Sequence, residues 1–176
     1  PHHNAVFVGK DKDGQPRYAC LRGIGTDFKG EATGSDKRFS FSIPAEESSQ
    51  VLYLFESAID LLSFAAMAQE DRLPWRSQHL LSLAGVYQPK KNLTERHLPL
   101  ALSQYLRDHR EIQTIYLCLD NDLAGRTAAD AIRQQLAGRY VVLDGFPCQG
   151  KDYNDWLCLR KGLPITRTVS KPERSM

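Results

Sequence analysis

Two short apolar runs each end in acidic residues, and this pattern restricts the fold more than any other feature of the chain. Residues 51–55 (VLYLF) precede Glu56, and residues 114–119 (TIYLCL) precede Asp120 and Asp122. Short runs rich in β-branched and aromatic residues are typical of buried parallel strands. Side chains that follow such strands lie in the crevice where open α/β sheets bind ligands. We therefore expect the three carboxylates at one edge of a sheet.

From residue 51 onward, predicted strands alternate with predicted helices. Apolar residues at helical spacing predict helices, and short apolar runs predict further strands. The predicted helices cover residues 57–70, 123–136 and 152–159, and one more starts at Thr94 and carries apolar residues to Leu106. The further predicted strands cover residues 79–84 and 140–143. This alternation indicates a parallel sheet with right-handed crossovers, flanked by helices.

The first part of the chain is β-rich instead. Residues 5–8 and 17–21 flank a polar turn that ends in Asp13-Gly14, which predicts a hairpin. Residues 39–43 alternate with period two and predict a strand with one buried face. We expect three parts, a β-rich subdomain over 1–48, an α/β domain over 49–160 and a basic, flexible tail over 161–176.

Composition excludes several classes of protein. The net charge of +2 is too small for a purely electrostatic nucleic-acid binder. None of the four cysteines forms a closely spaced pair, which argues against a zinc ribbon, and the five histidines show no metal-ligand spacing. No apolar stretch is long enough for a membrane span, so we expect no membrane partner and a reducing, cytoplasmic location. Because the chain starts at Pro1, we read it as a fragment with a possible domain upstream.

The predicted acidic edge suggests a cation site. Carboxylates that meet at one edge repel each other unless a cation lies between them, and Mg²⁺ binds one or two carboxylates together with substrate phosphates. A glycine at position 125 permits close approach of the backbone to a phosphate where the strand turns into a helix. Two simpler roles remain open: Glu56 is also favourable at a helix N-terminus, and Asp122 is a good helix cap.

Three segments together resemble the Toprim domain shared by topoisomerases, bacterial-type DNA primases and some nucleases. They are LFESAID at 54–60, LDNDLAGR at 119–126 and GKDYNDWL at 150–157, with a glycine loop at Gly85 between the first two. Within that family the chain is most similar to primase-like Toprim proteins of plasmids and other mobile elements. The resemblance covers residues 4 to about 160. It implies a Toprim Rossmann-like sheet.

The resemblance also implies roles for the acidic residues. Asp120 and Asp122 would bind Mg²⁺, with Mn²⁺ as a substitute, and Asp60 and Asp152 would assist on the same face. Glu56 would act as general acid and base, or as a metal ligand that exchanges between the two roles. Asn154 stands where primases often have an acid, which weakens a third metal-binding motif.

Basic residues near these segments are candidates for contact with phosphates. They are Lys37, Arg38, Lys90 and Arg126, together with Lys151, which could instead neutralise the acids. Surface lysines and arginines usually have no such role, so each is an independent hypothesis.

We expect Mg²⁺-dependent phosphodiester chemistry on nucleic acid, with primase-like nucleotidyl transfer as the first choice. The partners would be a single-stranded DNA template and nucleotides, with an upstream domain or a helicase as a further partner. A Toprim nuclease is the second enzymatic reading, and a non-catalytic nucleic-acid-binding module of a larger conjugation or replication protein is the rival from another class. A topoisomerase is disfavoured because the chain leaves no room for a catalytic-tyrosine domain, and a receiver domain because the β-rich start does not fit one.

Overall fold

The computed structural model describes residues 3–85 and 97–165. The strands are β1 Asn4–Lys10, β2 Pro16–Gly23, β3 Lys29–Glu31, β4 Ser42–Ile43, β5 Val51–Phe55, β6 His79–Ser82, β7 Thr114–Cys118 and β8 Val141–Asp144. The α-helices are α1 Ala58–Glu70, α2 Leu100–Asp108, α3 Leu123–Leu136 and α4 Tyr153–Arg160. Two short 3₁₀ turns cover Lys37–Phe39 and Trp75–Ser77.

The larger sheet confirms the predicted α/β fold. Its five strands lie in the order β4-β6-β5-β7-β8, and β4 is antiparallel while the others are parallel. The side chains of Leu52, Leu54 and Phe55 in β5 and of Ile115 and Leu117 in β7 are fully buried, as expected for central strands. Helices α2 and α3 pack on one face, and α1 and α4 pack on the other.

The predicted hairpin is also confirmed, as part of a separate three-stranded antiparallel sheet of β1, β2 and β3. This sheet lies against the turn at Lys37–Phe39. A Cβ on Gly9 of β1 would lie 1.7 Å from the Phe39 carbonyl oxygen, so only glycine fits at this contact. The small sheet thus packs directly on the backbone of the turn that precedes β4 of the larger sheet.

The predicted strand at 39–43 differs from the structure. Asp36 accepts a hydrogen bond from the backbone N–H of Arg38 at 3.0 Å, which starts a 3₁₀ turn instead. The buried Ser40 hydroxyl then lies 3.1 Å from the Ser82 hydroxyl of β6. Only Ser42–Ile43 remains extended, and it pairs with β6 at the edge of the larger sheet.

Helix α2 begins later than the sequence indicates. Thr94 and the candidate Lys90 lie outside the described residues. Within the described part, residues 97–99 are not helical, and the helix begins at Leu100. Pro99 explains this start, because a proline disfavours the helical conformation of the residue before it.

In the two described ranges, no helix has both the length and the apolar character needed to span a bilayer.

Candidate functional site

The acidic residues named from the sequence meet where the parallel strands of the larger sheet end, and we call this side of the sheet the acidic edge. Glu56 follows β5, the Asp120–Asp122 loop follows β7, and Asp152 precedes α4. The loop after β6 closes the same edge, because the Gly85 N–H donates to the Glu56 carbonyl oxygen at 3.0 Å. Parallel strands bring these positions together because their carboxyl ends share one side of the sheet.

Lys151 lies between two of these acids. Its ammonium is 2.8 Å from Oδ2 of Asp120 and 3.2 Å from Oδ2 of Asp122. The other oxygen of Asp122, Oδ1, accepts from the N–H of Gly125 at 2.9 Å and caps α3. Asp122 therefore caps a helix, which is the simpler role that the sequence left open, and also pairs with the Lys151 ammonium.

Asp60 connects the two helices on one face of the sheet. Its side chain is buried, with only 7% of the residue exposed. Oδ2 accepts from the Ser57 hydroxyl at 2.5 Å, and Oδ1 accepts from the backbone N–H of Asn154 at 3.2 Å. The sequence reasoning missed Ser57, although a serine three residues before an acid at a helix start is a capping signal.

Burial and mutual repulsion set the charges of these carboxyls. Burial, reinforced by Asp120, raises the pKa of Glu56 to about 7 although Lys151 opposes the shift. Burial also raises the pKa of Asp60 to about 6, against the hydrogen bond from Ser57. Protons thus bind to Glu56 near neutral pH.

The pKa values of the remaining acids shift in opposite directions. Burial raises the pKa of Asp120, although the contact with Lys151 opposes this shift. Burial also raises the pKa of Asp152, although the hydrogen bond from the N–H of Asp155 opposes it. The N–H of Gly125, with help from Lys151, lowers the pKa of Asp122. The Asp152 oxygen Oδ1 accepts from the N–H of Asp155 at 2.7 Å and caps α4.

The donor set fits a hard divalent cation. Asp120 and Asp122 each direct Oδ2 at one positively charged atom, the Lys151 nitrogen. The Lys151 side chain is 52% exposed, so it has room to leave this position.

Apart from Lys151, none of the basic candidates within the described residues pairs with an acid of this edge. Lys37 pairs with Glu31 at 3.0 Å and lines a cleft that includes Gly85. Arg38 pairs with Asp36 and lines a different cleft, beside α2. Arg126, on the first turn of α3, donates to the side chain of Asn121.

Comparison with known proteins identifies the class of protein. The Toprim-like family matches residues 53–157, and the chain belongs to this family. The preceding residues, 1–48, match a protein of unknown function (DUF3991). The 65 kDa protein of Zymomonas mobilis subsp. mobilis is 27% identical, over 93% of this chain and 28% of its own length. The chain thus spans less than a third of this curated relative.

Two solved structures share the fold. One is the primase fragment of the bacteriophage T7 primase-helicase protein, with a TM-score of 0.56 and 19% identity over 89% of this chain and 58% of that one. The other is a chain of the bacteriophage T7 lagging-strand DNA polymerase complex with primase domains bound to an RNA/DNA hybrid and dTTP. Its TM-score is 0.58, with 19% identity over 89% of this chain and 70% of that one.

Proposed function

We propose that the acidic edge binds Mg²⁺ or Mn²⁺ and performs phosphodiester chemistry on nucleic acid, most closely that of a primase-like nucleotidyltransferase. The observation that carries the proposal is the convergence of Asp120 and Asp122, which each direct one carboxylate oxygen at the same point, the Lys151 nitrogen. Glu56 follows the neighbouring strand and shares this edge. Membership of the Toprim-like family supports the same reading.

Glu56 would move the proton. In nucleotidyl transfer a hydroxyl oxygen attacks a nucleotide phosphorus, a bond to pyrophosphate breaks, and the hydroxyl proton must leave. A base with a pKa of about 7 accepts that proton efficiently near neutral pH. Bound Mg²⁺ would supply charge stabilisation for the attacking and leaving oxygens.

The other residues would position substrates and the metal. Asp120 and Asp122 would hold the ion, while Asp60 and Asp152 would fix the two helices that face it. Arg126 and Lys37 lie on elements next to the edge and would contact phosphates. Lys151 would pass from the carboxylates to the substrate phosphates once metal is bound.

The partners follow from the same proposal. They would be single-stranded DNA and nucleotides, in the cytoplasm, within replication or transfer of a mobile element. The proposed division is a β-rich subdomain over 1–48, a Toprim domain over 49–160 and a basic tail over 161–176. The separate sheet of β1, β2 and β3 supports the first boundary only in part, because β4 at Ser42–Ile43 belongs to the larger sheet. A longer protein would add a flanking domain or a helicase, as the length of the Zymomonas relative suggests.

A non-catalytic nucleic-acid-binding module is the second candidate. Lys151 favours it, because an internal ammonium neutralises Asp120 and Asp122 without any metal. Asn154 favours it as well, since it occupies the position of an acid in primase-like motifs. A Toprim nuclease would use the same acidic edge and differs in its products.

One experiment distinguishes these readings. It uses three proteins: the wild type, Glu56→Gln and the double variant Asp120→Asn/Asp122→Asn. Asp130→Asn is the matched control, because Asp130 is an exposed acid of α3 that pairs with Arg133 away from the edge. We expect Mg²⁺ to raise the melting temperature of the wild type and of Asp130→Asn but not of the double variant. With single-stranded DNA, nucleotides and Mg²⁺, Glu56→Gln should lose on the order of 10²–10⁴ in the rate of primer synthesis.

The outcomes separate the candidates. Shortened DNA without new primers would assign a nuclease. Binding of DNA and nucleotides that is equal in chelator and in Mg²⁺, and equal in the double variant, would assign the non-catalytic module. No metal stabilisation of the wild type would reject the proposed metal site.

A further inference from the structure

A second group of potential metal ligands lies at the opposite end of the larger sheet. His79 begins β6, His109 follows α2, and Glu111 lies in the loop that leads to β7. Each offers one donor atom, and these atoms lie within 4.8 Å of one another. Among residues 3–85 and 97–165 this is the only group of three or more such side chains that meets this distance. The two histidines are 30 positions apart, so sequence spacing gives no sign of the cluster.

The distances between the donor atoms are close to the separations between ligands of a single metal ion. Nε2 of His79 is 3.6 Å from Oε1 of Glu111, and Nδ1 of His109 is 3.2 Å from the same oxygen. Tetrahedral ligands that are each about 2.0–2.1 Å from Zn²⁺ are separated by roughly 3.3 Å. The three side chains are therefore close to the separation that one ion requires.

One donor atom in the cluster is buried and has no partner. His79 is 2% exposed, and its Nε2 forms no hydrogen bond. An unpaired buried nitrogen costs free energy. Its 3.6 Å distance from Oε1 of Glu111 is too long for a hydrogen bond. A bound ion would supply its missing partner.

The other ring nitrogen of His79 is held as in metal sites. Nδ1 lies 3.0 Å from the Tyr105 hydroxyl, which is itself mostly buried on α2. The N–H of Ala45 donates to Nδ1 at 3.4 Å, a long and weak hydrogen bond that is lost when Nδ1 carries the proton. When Nε2 binds a metal, Nδ1 carries the proton and the Tyr105 oxygen accepts it, which fixes the ring orientation.

We propose that His79, His109 and Glu111 form a site for a divalent transition-metal ion of the Zn²⁺ class, distinct from the acidic edge. Two imidazoles and one carboxylate are a ligand set suited to Zn²⁺ rather than to Mg²⁺, which prefers oxygen. The ion joins the start of β6, the end of α2 and the approach to β7.

The proposed site would leave one ligand position to water, because the protein supplies three ligands. Of these three, only His109 lines the cleft of about 630 Å³ between the small sheet, the turn at Lys37–Phe39 and α2. Three protein ligands with one open position are the arrangement of exchangeable zinc sites.

The test uses Zn²⁺ alone, titrated into chelator-treated protein in excess Mg²⁺. All proteins carry His2→Ala and His3→Ala, because adjacent histidines near a terminus bind metals by themselves. We expect one tight Zn²⁺ per chain and a rise in melting temperature. His109→Gln and Glu111→Gln should each weaken Zn²⁺ binding by more than about 100-fold, since even outer-sphere changes cost about 10–100-fold.

Two further variants give the proposal a matched comparison. Tyr105→Phe keeps the ring and removes the oxygen, so it should weaken Zn²⁺ binding by about 10–100-fold. His97→Gln changes an exposed histidine outside the cluster and should leave affinity unchanged. Both partly exposed ligands, His109 and Glu111, are replaced in preference to the buried His79, so folding is retained. Equal Zn²⁺ affinity in the wild type, His109→Gln and Glu111→Gln would overturn the proposal and leave a hydrogen-bonded cluster.

Discussion

The Glu56 carboxyl is held by its surroundings near the middle of its titration at neutral pH. Its pKa rises from the ordinary value of 4.5 to about 7, mainly through burial and then through Asp120. The folded protein therefore binds a proton on Glu56 over a pH range in which the unfolded chain has lost it. Stability from this group is present below pH 4.5 and is lost as the pH rises through about 7.

We predict that Glu56→Gln stabilises the metal-free protein at alkaline pH. The variant removes a carboxylate that is repelled when ionised, so above pH 7 its free energy of unfolding should exceed that of the wild type by on the order of 1–2 kcal/mol after solvent screening. Below pH 4.5 the two should be nearly equal. Urea unfolding at several pH values measures the difference, and Glu47→Gln, at an exposed position, is the control. Parallel stability profiles of wild type and Glu56→Gln would contradict the prediction.

Sequence reasoning places some site residues and not others, for physical reasons. Glu56 and Asp120 could be placed because parallel strands end on one side of a sheet, whatever else the chain does. Lys151 was left with two readings, because its contacts depend on how α4 packs against the sheet. The His79–His109–Glu111 cluster was missed for the same reason, since three separate elements bring it together.

At the scale of elements, the turn from β7 to α3 fixes the acidic edge. Gly125 is buried in the first turn of α3, and a Cβ there would lie 2.0 Å from the Asp120 carbonyl oxygen. The glycine is thus required by close backbone packing. The same residue donates its N–H to Asp122, so one position supports both acids.

We predict that Gly125→Ala lowers stability and weakens metal binding together. Overpacking costs about 1–3 kcal/mol, which outweighs the gain of up to ~1 kcal/mol in helix propensity. Asp120 should shift, so metal-induced stabilisation should decline. Thermal unfolding with and without Mg²⁺ measures both effects. Ala124→Gly, at the exposed neighbouring position, is the control: it should cost stability and leave metal binding intact. Full metal stabilisation in Gly125→Ala would refute the link between this packing contact and the acids.

The elements themselves were largely predictable. The strand at 51–55 and the helix at 123–136 carry strong periodicity, and the structure has both. The strand expected at 39–43 was mostly wrong, because period two alone does not reveal that Asp36 starts a 3₁₀ turn. Its short extended part belongs to the larger sheet, a long-range pairing that local sequence does not encode.

At the scale of the whole molecule, β1 of the small sheet packs on the segment that leads into β4 of the larger sheet. Gly9 packs against the Phe39 carbonyl, and the rings of Phe7 and Phe41 meet edge to face at 5.7 Å. Nothing in the sequence marks Gly9 as a contact between sheets, since a glycine in a strand has several explanations.

We predict that Gly9→Ala loosens the small sheet selectively. The added methyl group cannot fit beside Phe39, and strain of about 1–3 kcal/mol should appear in β1 and β2. Hydrogen exchange should accelerate in these strands while β5 and β7 keep their protection. Val6→Ala, at a half-exposed position of β1, should have a much smaller effect. Equal acceleration in both sheets would show instead that the molecule unfolds as one cooperative unit.

At the proposed metal site, the contact of Lys151 with two carboxylates would make metal uptake an ion exchange. An ion that bridges Asp120 and Asp122 must displace a charge that belongs to the same chain. A competitor tethered by a short segment acts at an effective concentration on the order of millimolar. Free metal must compete with the Lys151 ammonium at that effective concentration, so the apparent metal affinity reflects the difference between the binding free energies of the two cations. The site would then select ions that carry a second positive charge and coordinate additional ligands, because an ammonium group does neither.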